Sequence, residues 1–226
     1  MIGIIVAMQS EMELLREQLT NTKTQNIGHT TFTLGEISSR EVVVAQSGIG
    51  KVNSALTARE MIATYSPDII INTGVAGGLD ASLHVGDIVV ASETTYNDAW
   101  CGEGNEWGQI QGLPTRFIAN KEALECALTL ADTLPIQSGV ICSGDRFITS
   151  QDELQSIKNS IPEALATDME SNSIAHTCHL YNTPFLALRI ISDTPGVKDH
   201  GEQYENFWSI APKQTFAAVS KLIAIL

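Results

Sequence analysis

Residues 69–78 read Ile69-Ile-Ile-Asn-Thr-Gly74-Val-Ala-Gly77-Gly78, a short apolar run that leads into three glycines. Residues 42–51, Val42-Val-Val-Ala-Gln-Ser47-Gly48-Ile-Gly50-Lys51, repeat this arrangement earlier in the chain. Such apolar runs are typical of strands buried on both faces of a parallel sheet, and the glycines predict a turn after each strand. Glycine lets the backbone approach a ligand at the carboxyl end of a strand, where open α/β sheets bind ligands. The two segments therefore predict either a ligand-binding edge or two tight structural turns.

The rest of the chain alternates between strand and helix patterns. Apolar runs rich in β-branched residues predict strands at 2–6, 41–45, 68–71, 87–91, 139–142 and 185–191. Apolar residues at helical spacing predict helices at 9–19, 53–65, 121–130, 166–180 and 212–226. This alternation indicates an α/β fold with a largely parallel central sheet.

Two segments depart from simple alternation. Residues 30–34 and 41–45, joined by a polar turn, predict an antiparallel hairpin within the sheet. Residues 96–114 contain four glycines and two tryptophans without a period, which predicts a long functional surface loop. Because no linker-like stretch interrupts the chain, we expect residues 1–226 to form a single domain.

Composition limits the possible partners. The 226 residues include 13 basic and 26 acidic side chains, giving a formal net charge of −13 at pH 7. Nucleic acids and anionic membranes require a basic face, so neither is an expected partner. A small polar substrate fits this composition better.

The cysteines and the first residues bear on the compartment. Cys101, Cys126, Cys142 and Cys178 stand singly, which predicts reduced thiols and a cytoplasmic protein. The apolar residues 1–8 are too short to span a membrane, and they lack the basic flank of a secretory signal. We therefore expect them to form the first core strand.

Three carboxylates follow apolar segments. Glu11 lies just past the first strand, Glu170 follows the run Leu165-Ala-Thr-Asp-Met169, and Asp193 comes at the end of the apolar run Phe185–Ser192. Acidic groups that converge in a crevice have environments that separate their pKa values, as acid–base chemistry requires. Any one of them alone is more often a helix cap or a solvent-facing charge. Their joint placement beside the glycine segments favours a catalytic site.

Other catalytic signatures are weak. Neither glycine segment has the spacing of a phosphate-binding or dinucleotide-binding loop, and no serine-hydrolase elbow occurs. His176, Cys178 and His179 lie on one predicted helix, but they offer too few ligands for a metal. We therefore expect no metal and no other cofactor.

Seven short motifs follow one another in order along nearly the whole chain. They are Ile4-Ile-Val-Ala-Met8-Gln-Ser-Glu11, Ser47-Gly-Ile-Gly-Lys-Val52, Asn72-Thr-Gly-Val-Ala-Gly-Gly78, Val85-Gly-Asp-Ile-Val89, Ser143-Gly-Asp-Arg-Phe-Ile148, Asp168-Met-Glu170 and Arg189-Ile-Ile-Ser-Asp193. Together they resemble the 5′-methylthioadenosine/S-adenosylhomocysteine nucleosidases of the nucleoside phosphorylase superfamily. The resemblance implies a three-layer α/β/α fold with a mixed, mostly parallel sheet, a homodimer, and metal-free hydrolysis of the N-glycosidic bond to adenine.

The resemblance also implies a role for each acid. Breaking this bond requires an activated water, stabilisation of an oxocarbenium-like ribose and a proton for the leaving base. Glu11 matches the family's water-activating base, Glu170 matches the residue that holds the ribose hydroxyls, and Asp193 matches the acid that protonates purine N7. An aspartate can act as this acid near neutral pH only if its surroundings raise its pKa.

Substrate contacts carry over in the same way. The resemblance implies that Phe147 stacks on the purine, that Ile148 meets its edge, and that Ala76 and Gly77 lie under the base and ribose. The remaining residues matched to the substrate-binding set are Met8, Ile49, Asp168, Met169, Ser192 and Phe207.

The long loop departs from the family pattern. Many members carry Asp-x-Asp-Val-Thr-x-Phe there, and in the dimer this segment reaches the partner's pocket for the 5′-substituent. This chain has Asp98-Ala-Trp100-Cys101-Gly102-Glu103-Gly104, which makes Trp100 and Trp107 the candidates for that pocket.

Three other functions are alternatives. A nucleosidase for another 5′-substituent, such as a futalosine-type substrate, fits the same motifs. A phosphorylase would need several arginines for phosphate, whereas only Arg189 lies near the predicted site and Glu11 would repel phosphate. A nucleoside sensor without catalysis is disfavoured because all three acids are present.

Overall fold

A computed structural model of the chain describes residues 1–195, 197, 200–210 and 212–226. The strands of this part are β1 (Ile2–Val6), β2 (Thr20–Ile27), β3 (Thr30–Ile37), β4 (Arg40–Gln46), β5 (Ile69–Gly78), β6 (Ile88–Tyr96), β7 (Phe117–Ile118), β8 (Ile136–Ser143), β9 (Ala164–Asp168) and β10 (Phe185–Asp193). The helices are α1 (Gln9–Arg16), α2 (Lys51–Tyr65), α3 (Lys121–Leu128), α4 (Gln151–Ser160), α5 (Ser171–Tyr181), α6 (His200–Ile210) and α7 (Pro212–Ile225), and a 3-10 turn covers Thr129–Asp132. None of the helices within these residues has the length and apolar composition needed to cross a bilayer.

The strands form one mixed sheet. β1 lies parallel to β4 on one side and to β5 on the other. β5, β10, β6, β8 and β9 pair in turn and close back onto β5, while β4, β3 and β2 extend the sheet beyond β1. The predicted α/β fold with a mixed sheet and the predicted β3–β4 hairpin are confirmed. Antiparallel pairs also join β10 to β6 and β5 to β9, beyond the hairpin.

Helices cover both faces of the sheet because successive strand residues point to opposite sides. On β1, Ile4 packs into a core that contains residues of α1, α3 and α7. The next residue, Ile5, packs into a second core with residues of α2 and α5. Both side chains are fully buried. The arrangement has three layers and leaves the strand ends free to form a site.

The helix predicted at 166–180 begins too early. Residues Ala164–Asp168 form β9, which pairs with β8, and α5 starts only at Ser171. The side chain of Asp168 causes the change, because its Oδ1 accepts hydrogen bonds from the backbone N–H groups of Glu170 and Ser171. These N–H groups lie at the start of the helix, where the N–H groups of the first turn have no partner within the helix. The short β9 therefore delivers Asp168 and Glu170 to the same edge of the sheet.

The turn predicted at the glycines that follow the strand at 68–71 is also wrong. β5 continues through the glycines, which remain paired with β10 from Gly74 opposite Arg189 to Gly77 opposite Asp193. The other glycine segment does turn, since Gly48 and Gly50 have φ angles of 83° and 99°. One glycine segment thus allows close packing within the sheet, and the other redirects the chain into α2.

Candidate active site

A cavity of about 100 Å³, open to solvent on one side, lies where β1, β5, β9 and β10 end. Glu11, Glu170 and Asp193 all line the cavity, although they come from distant parts of the sequence. Each of these three residues is at most 4% exposed. The structure therefore brings the three predicted acids together around unfilled space.

The Glu11 carboxylate is held by backbone donors. Its Oε2 accepts hydrogen bonds from the N–H groups of Ala7 at 2.8 Å and Met8 at 2.9 Å, and its Oε1 accepts one from Val75 at 3.0 Å. Burial raises the pKa of Glu11, while Arg189 and these three N–H groups act in the opposite direction. The side chain is thus fixed in place between β1 and β5. A carboxylate of raised pKa is a stronger base than one in water.

Glu170 occupies the N-cap position of α5 and is held at both oxygens. Oε1 accepts a hydrogen bond from the N–H of Gly50 at 2.9 Å, and Oε2 accepts one from Nη2 of Arg189 at 3.3 Å. Burial raises the pKa of Glu170 to about 7, with Arg189 opposing this shift and Asp168 adding to it. The Gly48–Gly50 turn therefore matters to the site because its backbone orients an acid.

Arg189 lies buried between the acids. Its Nε is 2.7 Å from Oδ2 of Asp168, and its Nη2 donates a hydrogen bond to Oδ1 of Asn72 at 2.7 Å. The cavity thus has one buried guanidinium among four lining carboxylates, those of Glu11, Asp168, Glu170 and Asp193. Among the described lining residues, one further basic side chain is present, that of Arg146 at the rim of the cavity. With Glu11, Asp168 and Glu170 ionised the charge excess is negative, which suits a ligand that becomes cationic.

Asp193 reaches the cavity because β10 contains a bulge. The register against β5 shifts between Ile191 and Asp193, so that Ser192 is an extra residue in β10. In a regular strand, consecutive side chains would point to opposite faces, whereas here Ser192 and Asp193 both line the cavity. The Ser192 hydroxyl donates a hydrogen bond to Oδ1 of Asp193 at 2.5 Å. Nothing in the sequence indicated this bulge.

The predicted substrate-binding residues mostly converge on the same space. Those that line the cavity are Met8, Ile49, Ala76, Gly77, Phe147, Ile148, Asp168, Met169 and Ser192. Asp168 also pairs with Arg189, so it organises the buried end of the site. Phe147 lies at the open side of the cavity and is 53% exposed. Their roles toward a substrate stay predictions.

One residue of the predicted substrate-binding set, Phe207, lies away from the cavity. It is not among the lining residues and is instead buried in the core that α6 and α7 share with the sheet, where it packs edge-to-face on Trp208. Tyr204, one turn earlier on α6, lines the cavity in its place. Its hydroxyl lies 3.6 Å from the sulfur of Met8, and its ring packs against Phe147 with centroids 5.5 Å apart. Tyr204 and Phe207 are three residues apart and therefore neighbours on one helix surface. This spacing was the sequence signal that could have pointed to Tyr204.

The tryptophans of the long loop lie outside the cavity of a single chain. Neither Trp100 nor Trp107 is among its described lining residues. Trp107 donates a hydrogen bond from Nε1 to the carbonyl of Asn97 at 3.1 Å, and Trp100 is 58% exposed. Their predicted contact with a 5′-substituent would therefore require a second copy of the chain.

Comparison with known proteins identifies the class to which this fold and site belong. The family model of the phosphorylase superfamily matches residues 1–224, so the chain is a member of that superfamily.

Individual relatives define the family more closely. The 5′-methylthioadenosine/S-adenosylhomocysteine nucleosidase of Staphylococcus haemolyticus is 39% identical over 229 residues, covering 100% of both chains. The nucleosidase of the same name from Neisseria meningitidis, solved in complex with methylthio-immucillin-A, has a TM-score of 0.95 and 36% identity, covering 100% of this chain and 99% of the other. That of Colwellia psychrerythraea, in complex with adenine, has a TM-score of 0.94 and 35% identity, covering 100% and 95%. This chain belongs to the 5′-methylthioadenosine/S-adenosylhomocysteine nucleosidase family.

Proposed function

We propose that this chain hydrolyses the N-glycosidic bond of 5′-methylthioadenosine and S-adenosylhomocysteine, releasing adenine and the 5′-thio-substituted ribose. Family membership supports this activity, and the adenine and methylthio-immucillin-A bound by relatives are ligands of the expected kind. The observation that carries the proposal is the convergence of Glu11, Glu170 and Asp193 on one cavity. Each acid has surroundings that suit a different step.

Glu11 is the proposed base that activates water. Its carboxylate is anchored by three backbone N–H groups, so it cannot swing away when a water molecule donates a proton to it. Burial raises its pKa, which increases its affinity for that proton. The same negative charge would repel a phosphate ion. This supports hydrolysis over phosphorolysis.

Glu170 is the proposed ligand of the ribose hydroxyls. In the oxocarbenium-like transition state the sugar becomes positively charged, and ionised Glu170 and Glu11 stabilise that charge at short range. Arg189 and the Gly50 N–H fix the orientation of the Glu170 carboxylate before substrate binds. Preorganised charges of this kind cost no reorganisation at the moment of reaction.

Asp193 is the proposed acid that protonates purine N7. It ends β10 beside Gly77 of β5, and Ser192 fixes one of its oxygens. A proton on N7 converts the departing base into a neutral leaving group, so the glycosidic bond breaks without forming an adenine anion. Phe147 and Ile148, on the opposite loop, are the proposed contacts of the purine.

A substrate panel tests the activity. We expect mass spectrometry to detect adenine from 5′-methylthioadenosine and S-adenosylhomocysteine in the absence of phosphate. Turnover confined to a futalosine-type nucleoside would reassign the 5′-specificity, and turnover that requires phosphate would indicate a phosphorylase. A folded protein that cleaves none of these substrates would remove the proposal.

Substitutions of Asp193 and Glu11 test the catalytic roles proposed for these two acids. Asp193→Asn should abolish turnover without unfolding the protein, because an amide cannot supply the proton. Glu11→Gln should also abolish turnover while adenine still binds. The matched control is Asp152→Asn, an exposed aspartate in the first turn of α4, which should keep full activity. Full activity of Asp193→Asn would refute the assignment of the acid.

We further propose that residues 1–226 act as a single domain and that two copies form a homodimer. Ile49, Val52 and Leu56 present an apolar stripe near the start of α2 and are 52%, 69% and 48% exposed. This stripe adjoins the cavity, since Ile49 also lines it. A second copy seated here would cover the stripe and bring exposed loop residues toward the neighbouring cavity.

Light scattering tests the assembly. Leu56→Glu should convert a dimer into a monomer with reduced activity, because burying a charge in an apolar interface is costly. Val85→Glu, at an apolar site that is 42% exposed, is the control and should stay dimeric. A wild-type monomer with full activity would contradict the dimer.

We also propose a cytoplasmic location, supported by four unpaired cysteines and testable by cell fractionation.

A further inference from the structure

The ammonium group of Lys51 joins three segments that surround the cavity. Its Nζ lies 2.8 Å from each carboxylate oxygen of Asp98, in the loop after β6. The same Nζ lies 3.8 Å from Oδ2 of Asp145, in the loop after β8, and 5.3 Å from the centre of the Tyr96 ring. Lys51 itself is the first residue of α2. One cation thus connects the starts of two loops with the start of a helix.

The start of α2 also binds acids through its backbone. Gly50, the N-cap residue, supplies no side-chain cap. Instead the N–H of Gly50 donates to Oε1 of Glu170 at 2.9 Å, and the N–H of Lys51 donates to Oδ1 of Asp145 at 2.8 Å. Carboxylates at a helix N-terminus satisfy its free N–H groups and interact favourably with its dipole. A shift of this helix end would therefore move Glu170 and Asp145 together.

Asp145 also fixes the loop that carries Phe147. Its N–H donates a hydrogen bond to Oδ2 of Asp98 at 2.9 Å. The three residues that follow it, Arg146, Phe147 and Ile148, all line the cavity. The loop thus begins at a cluster of Lys51, Asp98 and Asp145, which we call the Lys51 cluster.

We propose that Lys51 is a positioning residue for the hydrolytic site. Through the Lys51 cluster it holds the Gly50 N–H against Glu170 and holds the Phe147 loop at the opposite side of the cavity. Sugar-binding and base-binding groups then face one nucleoside at a fixed separation. Lys51 is not among the residues that line the cavity, so it acts through these neighbours. This inference rests on the proposed function.

Charge balance explains why a cation is needed. Asp98 and Asp145 both lie within 4 Å of the Lys51 ammonium, and their side chains are 24% and 48% exposed. Without the cation, two like charges would remain beside each other, and they would separate. Because Asp145 is also bound to the start of α2, this separation would loosen the start of α2 and the Phe147 loop at once.

Steady-state kinetics of Lys51→Met test the proposal. We expect kcat/KM for 5′-methylthioadenosine to fall about ten-fold, with a rise in KM, because small displacements of binding groups are costly. Lys51→Arg keeps a cation in reach of both carboxylates and should recover most of the activity. Asp98→Asn should reproduce the defect, and adding it to Lys51→Met should produce little further loss. The control is Lys121→Met, whose pair with Glu125 lies on the exposed face of α3.

Hydrogen exchange separates this inference from the proposed function. In Lys51→Met, amides of residues 47–52 and 144–149 should exchange faster, while those of β1 and β4 stay unchanged. If the wild type cleaves no nucleoside but the exchange pattern changes as expected, the proposed function fails and the Lys51 cluster stands as a structural element. Unchanged exchange, or unchanged KM and kcat with only a lower Tm, would overturn the positioning role. Asp98→Asn supplies the same readouts if Lys51→Met does not fold.

Discussion

The Nε atom of Arg189 lies 2.7 Å from Oδ2 of Asp168, and each side chain is 1% exposed. The same guanidinium reaches Oε2 of Glu170 at 3.3 Å and Oδ1 of Asn72 at 2.7 Å. Removing two charges from water is costly, and the cost is offset only where hydrogen bonds satisfy both partners. Here the ion pair forms one wall of the cavity. The charge of Arg189 therefore acts on the acids of the site and also contributes to the stability of the fold.

Loss of the guanidinium should therefore damage the whole protein. We expect Arg189→Met to lower the free energy of unfolding by about 3–5 kcal/mol, since it leaves Asp168 and Glu170 buried without a cation. Urea unfolding followed by circular dichroism measures this change. Arg116→Met is the comparison, because Arg116 pairs with Glu163, which is half exposed, and its loss should be clearly smaller. Equal losses in the two variants would contradict a special role for the buried pair.

Glu170 should make stability depend on pH. Its pKa is raised from the ordinary 4.5 to about 7, chiefly by burial, so between these values the folded state binds more protons than the unfolded state. This contribution to stability is complete below pH about 4.5 and is lost as the pH rises through about 7. Glu170→Gln has no such titration.

The difference between wild type and Glu170→Gln isolates this effect. Relative to the wild type, the glutamine variant should gain about 3 kcal/mol in free energy of unfolding between pH 4.5 and pH 7.5. Denaturant titrations of both proteins at several pH values measure the difference. A difference that stays constant across this range would show that Glu170 ionises in the fold as it does in water.

Gly74 should be irreplaceable because no space exists for a side chain. A Cβ atom at this position would lie against Oε1 of Glu11 and 2.6 Å from Nη1 of Arg189, and the φ angle of 152° is unfavourable for other residues. Gly74→Ala should displace Glu11 and lower kcat/KM at least about 100-fold. The matched control is Gly201→Ala in α6, where a Cβ atom would meet open space and activity should be unchanged. An active Gly74→Ala protein would mean that Glu11 tolerates displacement.

The sequence predicted the site best where local pattern and chemistry agree. Asp193 ends an apolar strand, and Glu11 lies in the first turn of the helix that follows another, so their arrival at one edge of the sheet follows from parallel pairing. Pairing over long distances was not readable in the same way. Lys51 and Asp145 meet across 94 positions, and no periodicity links them. The Ser192 bulge was likewise invisible, because it depends on register against β5.

Secondary structure was missed where tertiary contacts override local preference. β2 consists almost entirely of polar, exposed residues and forms because β3 offers it a free edge. The start of α5 was misplaced because Asp168 ends β9 and binds the N–H groups at the start of the helix, a role that helical spacing alone does not reveal. In contrast, α4 was not predicted from the apolar pattern, although the sequence contains a signal for its start, the capping box of Ser150 and Glu153.

Phe147 should contribute to binding and little to folding. Its ring lies at the open side of the cavity, is 53% exposed, and packs against Tyr204 with centroids 5.5 Å apart. Stacking of a base on an aromatic ring contributes about 1–3 kcal/mol, so Phe147→Ala should raise KM about five- to 150-fold. Because the stacking is present in both the bound substrate and the transition state, kcat should change little.

The control for Phe147 is Ile118→Ala, an apolar residue that is 68% exposed and is not among those lining the cavity. Both variants should unfold at nearly the wild-type temperature, since each removes a largely exposed side chain. Initial rates with 5′-methylthioadenosine over a range of concentrations then separate KM from kcat. A fall in kcat at constant KM would show that Phe147 acts on the reaction step, and the purine would have to bind elsewhere in the cavity.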